Sequence, residues 1–285
     1  MKVPPCFRSN VAAMSLVVMA LISISTAQKS QAALLYYEGF DYSVGSLSSQ
    51  NGGVGFDNAW GTAGSGGSVN VQSGSLSYGT LVASGGKAYL SPSGTGGATI
   101  TRNLDSSLNT GTIYLSFLTN LDDGNRYFGL ALDNSGGEIF LTGKPTTYGS
   151  PGAWSLSNSA NIPGSPVSSG VSISLDTTVA MVLRIDFNAS GVNERIRLYV
   201  NPTLGIEPAT AAVDVVSSNS FSINQIRLTS GYFVAGSPTA YGWVDEIRLG
   251  TDYASVTPVP EPSTWMLGIL GLFVILGRFR VRQRA

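Results

Sequence analysis

Met181-Val182-Leu183-Arg184-Ile185-Asp186-Phe187, then Asn188-Ala189-Ser190-Gly191-Val192-Asn193, then Glu194-Arg195-Ile196-Arg197-Leu198-Tyr199-Val200, reads as a strand, a turn and a second strand. Met181, Leu183, Ile185 and Phe187 alternate with Arg184 and Asp186. Ile196, Leu198 and Val200 alternate with Arg195, Arg197 and Tyr199. A period of two sets each apolar series on one face of a strand. The Asn, Ser and Gly residues between them suit a hairpin loop, so this stretch predicts an antiparallel pair with one buried face.

The same pattern recurs outward along the chain. Ile113, Leu115 and Phe117 alternate with Tyr114 and Ser116. Asp133-Asn134-Ser135-Gly136-Gly137 is a turn between two further short runs, 127–132 and 138–142. A final pair of strands is expected at 222–229 and 243–249. No long 3.6-residue period competes with these runs. The expectation is an all-β, two-sheet jelly-roll sandwich occupying residues 33–254. The stretches 61–67, 91–97 and 143–170 are rich in Gly, Ser and Pro and read as surface loops.

Composition removes several chemistries. The chain has 285 residues and no His, and its one Cys, Cys6, lies in the leader. The body therefore lacks a disulfide, a thiol nucleophile and an imidazole for a triad or metal site. Sixteen of the 17 acidic residues fall in the body against nine of the 16 basic ones, a net charge of −7 that argues against a nucleic-acid partner.

The two ends differ from the body. Residues 1–32 have the layout of a secretory signal peptide, predicted as a helix: Lys2 and Arg8, an apolar run from Val11 to Ile24, then small residues before cleavage near Ala32, with Ala27 the alternative. At the other end come a Pro-rich linker, 255–262, and an apolar rod from Trp265 to Gly277, then Arg278, Arg280, Arg282 and Arg284. Residues 263–285 are expected to form a transmembrane helix with a basic tail. The 15 residues from Ser263 to Gly277 make roughly 22 Å of helix, so spanning requires Phe279 and Val281 to enter and the arginines to snorkel. Arginines held in the cytoplasm leave the body outside.

Val259, Pro260, Glu261, Pro262 and Ser263, followed by the rod and the Arg cluster, resemble the PEP-CTERM sorting signal over residues 259–284. The resemblance implies recognition by the membrane protease-transpeptidase exosortase. It also implies export across the inner membrane, anchoring by the C-terminal helix before processing, and delivery to the cell surface or exopolysaccharide matrix of a Gram-negative bacterium.

The body carries a fainter resemblance. Tyr37-Glu38-Gly39-Phe40-Asp41-Tyr42 and Gly242-Trp243-Val244-Asp245-Glu246-Ile247-Arg248-Leu249-Gly250 look like the first and last strands of concanavalin A-like and laminin-G-like domains. This implies a jelly roll whose terminal strands lie side by side. Asp245 and Trp243 share parity with Ile247 and Leu249, so both are expected to face inward, Trp243 as packing. An inward carboxylate needs a partner, and Glu38 would neighbour it, which suggests a structural Ca²⁺ held by Glu38 and Asp245.

Glycan contact is expected at Trp60, Tyr148 and Trp154, aromatic residues in Gly/Ser/Pro-rich stretches. Catalysis is not expected: the Glu-x-Asp-x-Glu run that laminarinase-like hydrolases need for nucleophile and acid is absent. The overall expectation is an exported, non-catalytic surface or matrix protein associating with exopolysaccharide, with a lectin-like module of defined ligand as the alternative and a glycoside hydrolase behind both.

Overall fold

The computed structural model describes residues 34–259, apart from residues 65, 82, 94–96, 125, 146–151, 159, 189–190, 192 and 232–239. The leader, Tyr148 and the sorting motif from Pro260 onward, including Glu261, Pro262, Ser263, Arg278, Arg280, Arg282 and Arg284, lie outside the described residues. Among those described, no helix is long and apolar enough to cross a membrane.

The strands are β1 (Leu34–Glu38), β2 (Gly45–Ser46), β3 (Gly67–Ser73), β4 (Gly86–Pro92), β5 (Ala98–Leu108), β6 (Thr112–Gly124), β7 (Phe128–Asn134) and β8 (Gly137–Lys144). They continue as β9 (Ala153–Ser157), β10 (Val167–Ser172), β11 (Val179–Asp186), β12 (Arg195–Val200), β13 (Val213–Val216), β14 (Ile223–Ser230) and β15 (Ala240–Gly250). One turn of helix follows, α1 (Tyr253–Val256).

These strands form an all-β sandwich of two antiparallel sheets. The larger runs β13-β12-β11-β6-β15-β4-β3-β2, with β1 also on β15, and the smaller runs β10-β9-β8-β7-β14-β5. The hairpin of β11 and β12 forms in the register that alternation requires, Leu183 opposite Leu198 and Ile185 opposite Ile196. Phe117, Leu183, Ile196 and Leu198 of the larger sheet pack with Leu130, Phe140, Ile226 and Leu228 of the smaller one in a single core.

The terminal strands lie side by side, with Tyr36 opposite Leu249 and Glu38 opposite Ile247. The strands expected at 222–229 and 243–249 both form, but they belong to different sheets. The expected long loop at 143–170 also needs correction. It contains β9, whose Ala-Trp-Ser-Leu-Ser alternation is only five residues long and is masked by flanking Gly and Pro.

One irregularity governs the rest. β15 pairs with β4 through Val244 and with β1 from Ile247 onward. β6 occupies the other edge, and the register shifts between Asp245 and Arg248. Glu246 takes φ 51° in this bulge. An extra residue reverses side-chain parity downstream. Val244, Ile247 and Leu249 all reach the core, whereas Trp243 packs on the outer face with Leu76 and Leu118. Trp243 therefore faces outward, against the expectation from parity.

Candidate functional site: an aromatic platform on the outer face

The outer face of the larger sheet is built by alternation. On β6, Leu115, Phe117 and Leu121 go to the core, leaving Tyr114, Ser116, Leu118 and Asn120 outward. On β4, Ala88 and Leu90 go inward and leave Lys87 and Tyr89 half-buried on the surface. On β3, Val69 and Val71 go inward and leave Asn70 and Gln72.

The registers then align one row across four strands: Asn70 opposite Tyr89, Tyr89 opposite Trp243, and Trp243 opposite Asn120. The Tyr89 and Trp243 ring centroids are 5.0 Å apart at 39°. Tyr241, two residues along β15, lies 6.5 Å from Tyr89 with the planes only 14° apart. Three partly exposed rings thus form one apolar patch with an amide at each end of its central row.

Several contacts hold the patch in place. Trp243 Nε1 donates to Gln72 Oε1 at 2.7 Å, and Lys87 Nζ lies 5.7 Å from the same indole ring. Burial, helped by the nearby Asp122 carboxylate and Tyr241, raises the Tyr89 phenol above its ordinary range, so it remains a hydrogen-bond donor. The Asn120 Oδ1 is shielded and has no hydrogen-bond partner among the described residues. Paired aromatics on a rigid sheet, rimmed by amides, are suited to a ligand with apolar faces and hydroxyl edges.

The residues expected from sequence are placed differently. Trp60 and Trp154 are 1% and 0% exposed and cannot offer a ring face to a sugar. Trp60 stacks on Phe40 at 6.0 Å and donates Nε1 to Glu38 Oε2 at 3.0 Å. Trp154 belongs to the core. Val259, the one described residue of the sorting motif, is exposed.

Glu38 and Asp245 do not form a metal site. Glu38 shares the inward parity of Ile247 and sits between the sheets. It pairs with Arg102, and it also accepts from Phe40 N at 2.8 Å, Tyr42 Oη at 2.7 Å and Trp60 Nε1. A guanidinium and three neutral donors already saturate this carboxylate, so a cation does not fit.

Asp245 lies on the opposite face because of the bulge. Its Oδ2 accepts from Leu76 N at 2.7 Å and its Oδ1 from Glu246 N at 2.8 Å. It thereby seats the 74–81 strap, whose Leu76, Tyr78 and Leu81 cover Leu118 beside Trp243. Burial pushes its carboxyl up to about 8, outweighing the two N–H donors. Among the described residues no group of three or more His, Cys, Asp or Glu could hold a metal ion.

A hollow of about 500 Å³ lies at the other end of the outer face and is lined by Arg184, Arg195, Arg197, Tyr199, Glu207 and Asp214. Its charges are used internally. Arg184 pairs with Asp186 and Glu207, Arg195 with Asp214, and Arg197 with Asp186. Tyr114 and Tyr199 donate to Glu207 at 2.7 and 2.6 Å. This network fastens the segment around Glu207 to the sheet.

No family model matches the chain and no curated protein matches it. Among solved structures, the T. cruzi calreticulin globular domain is similar at 11% identity and a TM-score of 0.46, over 77% of this chain and 88% of that one. Lectin II from Ulex europaeus is similar at 10% identity and a TM-score of 0.37, over 76% and 99%. A glycosyl hydrolase family 16 protein from Mycobacterium smegmatis is similar at 14% identity and a TM-score of 0.37, over 76% and 100%. Likenesses this distant assign no residue a role.

Proposed function

We propose that the chain is an exported, non-catalytic protein of the cell surface or extracellular matrix. In this reading its concanavalin A-like jelly roll holds polysaccharide on the platform of Tyr89, Trp243 and Tyr241. The observation that carries the reading is the Asn70–Tyr89–Trp243–Asn120 row, which sets aromatic rings and amides on one rigid outer face.

Three of the five buried carboxylates among the described residues are tied up within the fold, which supports a binding role over a hydrolytic one. Glu38 faces Arg102, Glu246 faces Arg248 and accepts from Tyr37 and Ser84, and Glu194 accepts from Ser217 and Ser220. Each is committed to holding the fold, whereas glycoside hydrolysis needs two carboxyl groups facing one bond. Delivery follows the C-terminal signal, read by an exosortase at the membrane.

The test is a glycan array probed with the full chain in calcium and in EDTA. Binding that is equal in both buffers and lost in Tyr89→Ala is expected. Binding abolished by EDTA, or unaffected by the substitution, rejects the platform. For the sorting step, replacing Glu261 by Gln and Arg278 and Arg280 by Ser should leave the chain off the cell surface in an exosortase-containing host; unchanged surface delivery rejects that step.

A further inference from the structure

We infer that the platform takes a neutral, β-linked chain of gluco-configured pyranose units, bound along its length rather than at its end. This rests on the glycan-binding reading above and adds the class of glycan.

Shape is the first argument. The three rings stand on a sheet face, with Tyr89 and Tyr241 nearly parallel at 14° and Trp243 tilted 39° from Tyr89. They lie together on the open face of the sheet, not in a closed pocket of the kind that grips a chain terminus. Rings 5.0 and 6.5 Å apart give adjacent sugars a shared surface. Extended β-linked chains lay successive rings on such a face, whereas α-linked glucans coil away from it.

Ring chemistry is the second. Aromatic faces carry the negative lobe of the quadrupole and attract the slightly positive C–H groups of a sugar. A β-glucose unit holds its hydroxyls equatorial and its ring hydrogens axial, so both faces are apolar and the rim is polar. An axial hydroxyl spoils one face. The amides fit this distribution: Asn70 and Asn120 flank the ring row, and Gln72 stands beside Lys87 on the next one. Gln72 uses its Oε1 on Trp243, which leaves its N–H₂ group to donate at the rim.

Charge is the third. The β6 end of this face carries Asp122, which is exposed, and Asp123, which is opposite Tyr241. Lys87 Nζ, 5.7 Å from the Trp243 indole, is positively charged and offsets part of this. A uronate or sulfated chain would bring further negative charge beside these carboxylates, and like charges repel. A neutral chain meets no such cost.

The experiment is calorimetry of the full chain in a polyoxyethylene detergent, since an alkyl glucoside would itself compete. The probes are cellohexaose, maltohexaose and hexagalacturonate. Cellohexaose is expected to bind, with little change between 50 and 500 mM salt, and to weaken about tenfold in each of Tyr89→Ala and Tyr241→Ala. These rings are partly buried, so the melting temperature is measured alongside and binding is compared only between folded variants. Maltohexaose and hexagalacturonate should bind at least about tenfold more weakly than cellohexaose. Equal or tighter binding of either, with the same loss in Tyr89→Ala, overturns the inferred class and leaves the glycan-binding reading standing. Silence from all three probes, or cellohexaose binding that survives Tyr89→Ala combined with Tyr241→Ala, overturns both.

Discussion

Replacing Arg102 by Met should expose how much the sandwich depends on one buried ion pair. Arg102 and Glu38 are each 1% exposed. The guanidinium donates to Glu38, to Asn58 O at 3.0 Å, to Gly52 O at 2.5 Å, to Asn51 Oδ1 at 3.3 Å and to Tyr42 Oη at 3.2 Å. Its plane also lies 4.2 Å from the Phe56 ring and 5.6 Å from that of Trp60. One side chain on β5 thus fastens the whole 50–60 segment to β1 and to the smaller sheet. Met keeps much of the stem volume but strands Glu38 as a buried, uncompensated charge. Breaking such a pair from one side costs about 3–5 kcal/mol. A domain of this size loses about 2–4 °C per kcal/mol, so the melting temperature should fall by roughly 10 °C. Thermal and urea unfolding should agree on the loss. Glu38→Gln combined with Arg102→Met should recover part of it, because the stranded charge is gone and the amide oxygen at the Oε2 position still accepts from Tyr42 and Trp60, while the N–H₂ group faces Phe40 N. A single variant within about 1 kcal/mol of the parent would refute the reasoning.

Three further outcomes follow. Asp245 keeps its proton up to about 8 when folded, through burial, against about 3.9 unfolded. The folded chain therefore binds this proton more tightly. The associated stability is whole below pH about 4 and is lost as pH rises to about 8, so the melting temperature should decline across that window and flatten in Asp245→Asn; parallel pH profiles would contradict it. Trp60→Phe removes the indole donor to Glu38 from a fully buried site and should cost about 1–3 kcal/mol by urea unfolding, with no change in glycan binding; weakened binding at unchanged stability would return Trp60 to the sugar site. Val256→Asp buries an unpaired carboxylate under α1 and should destabilise by at least about 3 kcal/mol, with earlier proteolysis after Gly250; wild-type resistance would show that α1 does not belong to the body.

Much of the architecture could be read from alternation. β6, β11 and β12 combine strict period two with turn residues at their ends, and nothing in their surroundings opposes the pattern. β9 was hidden because five residues between Gly and Pro carry too short a signal. The aromatic face was missed for a more specific reason. Alternation in 241–249 is readable, but a bulge has no reliable mark in a single sequence, and Asp245-Glu246 moves Trp243 from the interior to the surface. Tyr89 offered a usable clue, since Lys87-Ala88-Tyr89-Leu90 alternates cleanly and points it outward. The tryptophans in Gly-rich stretches misled because composition reports the flexibility of a segment, not the direction of a ring. Trp60 is drawn inward by Glu38, a partner 22 residues away.

The path by which the chain leaves the body gives the outer face a further meaning. α1 is docked on that face, with Ser116 donating to Val256 O at 2.6 Å and Tyr253 packed edge-on against Tyr114. Asn120, beside the rings, is four residues along the same strand, roughly 13 Å away at about 3.3 Å per residue. Exit point and platform therefore share one side of the molecule. For the proposed surface protein, a glycan on the platform would therefore lie on the side from which the C-terminal segment departs.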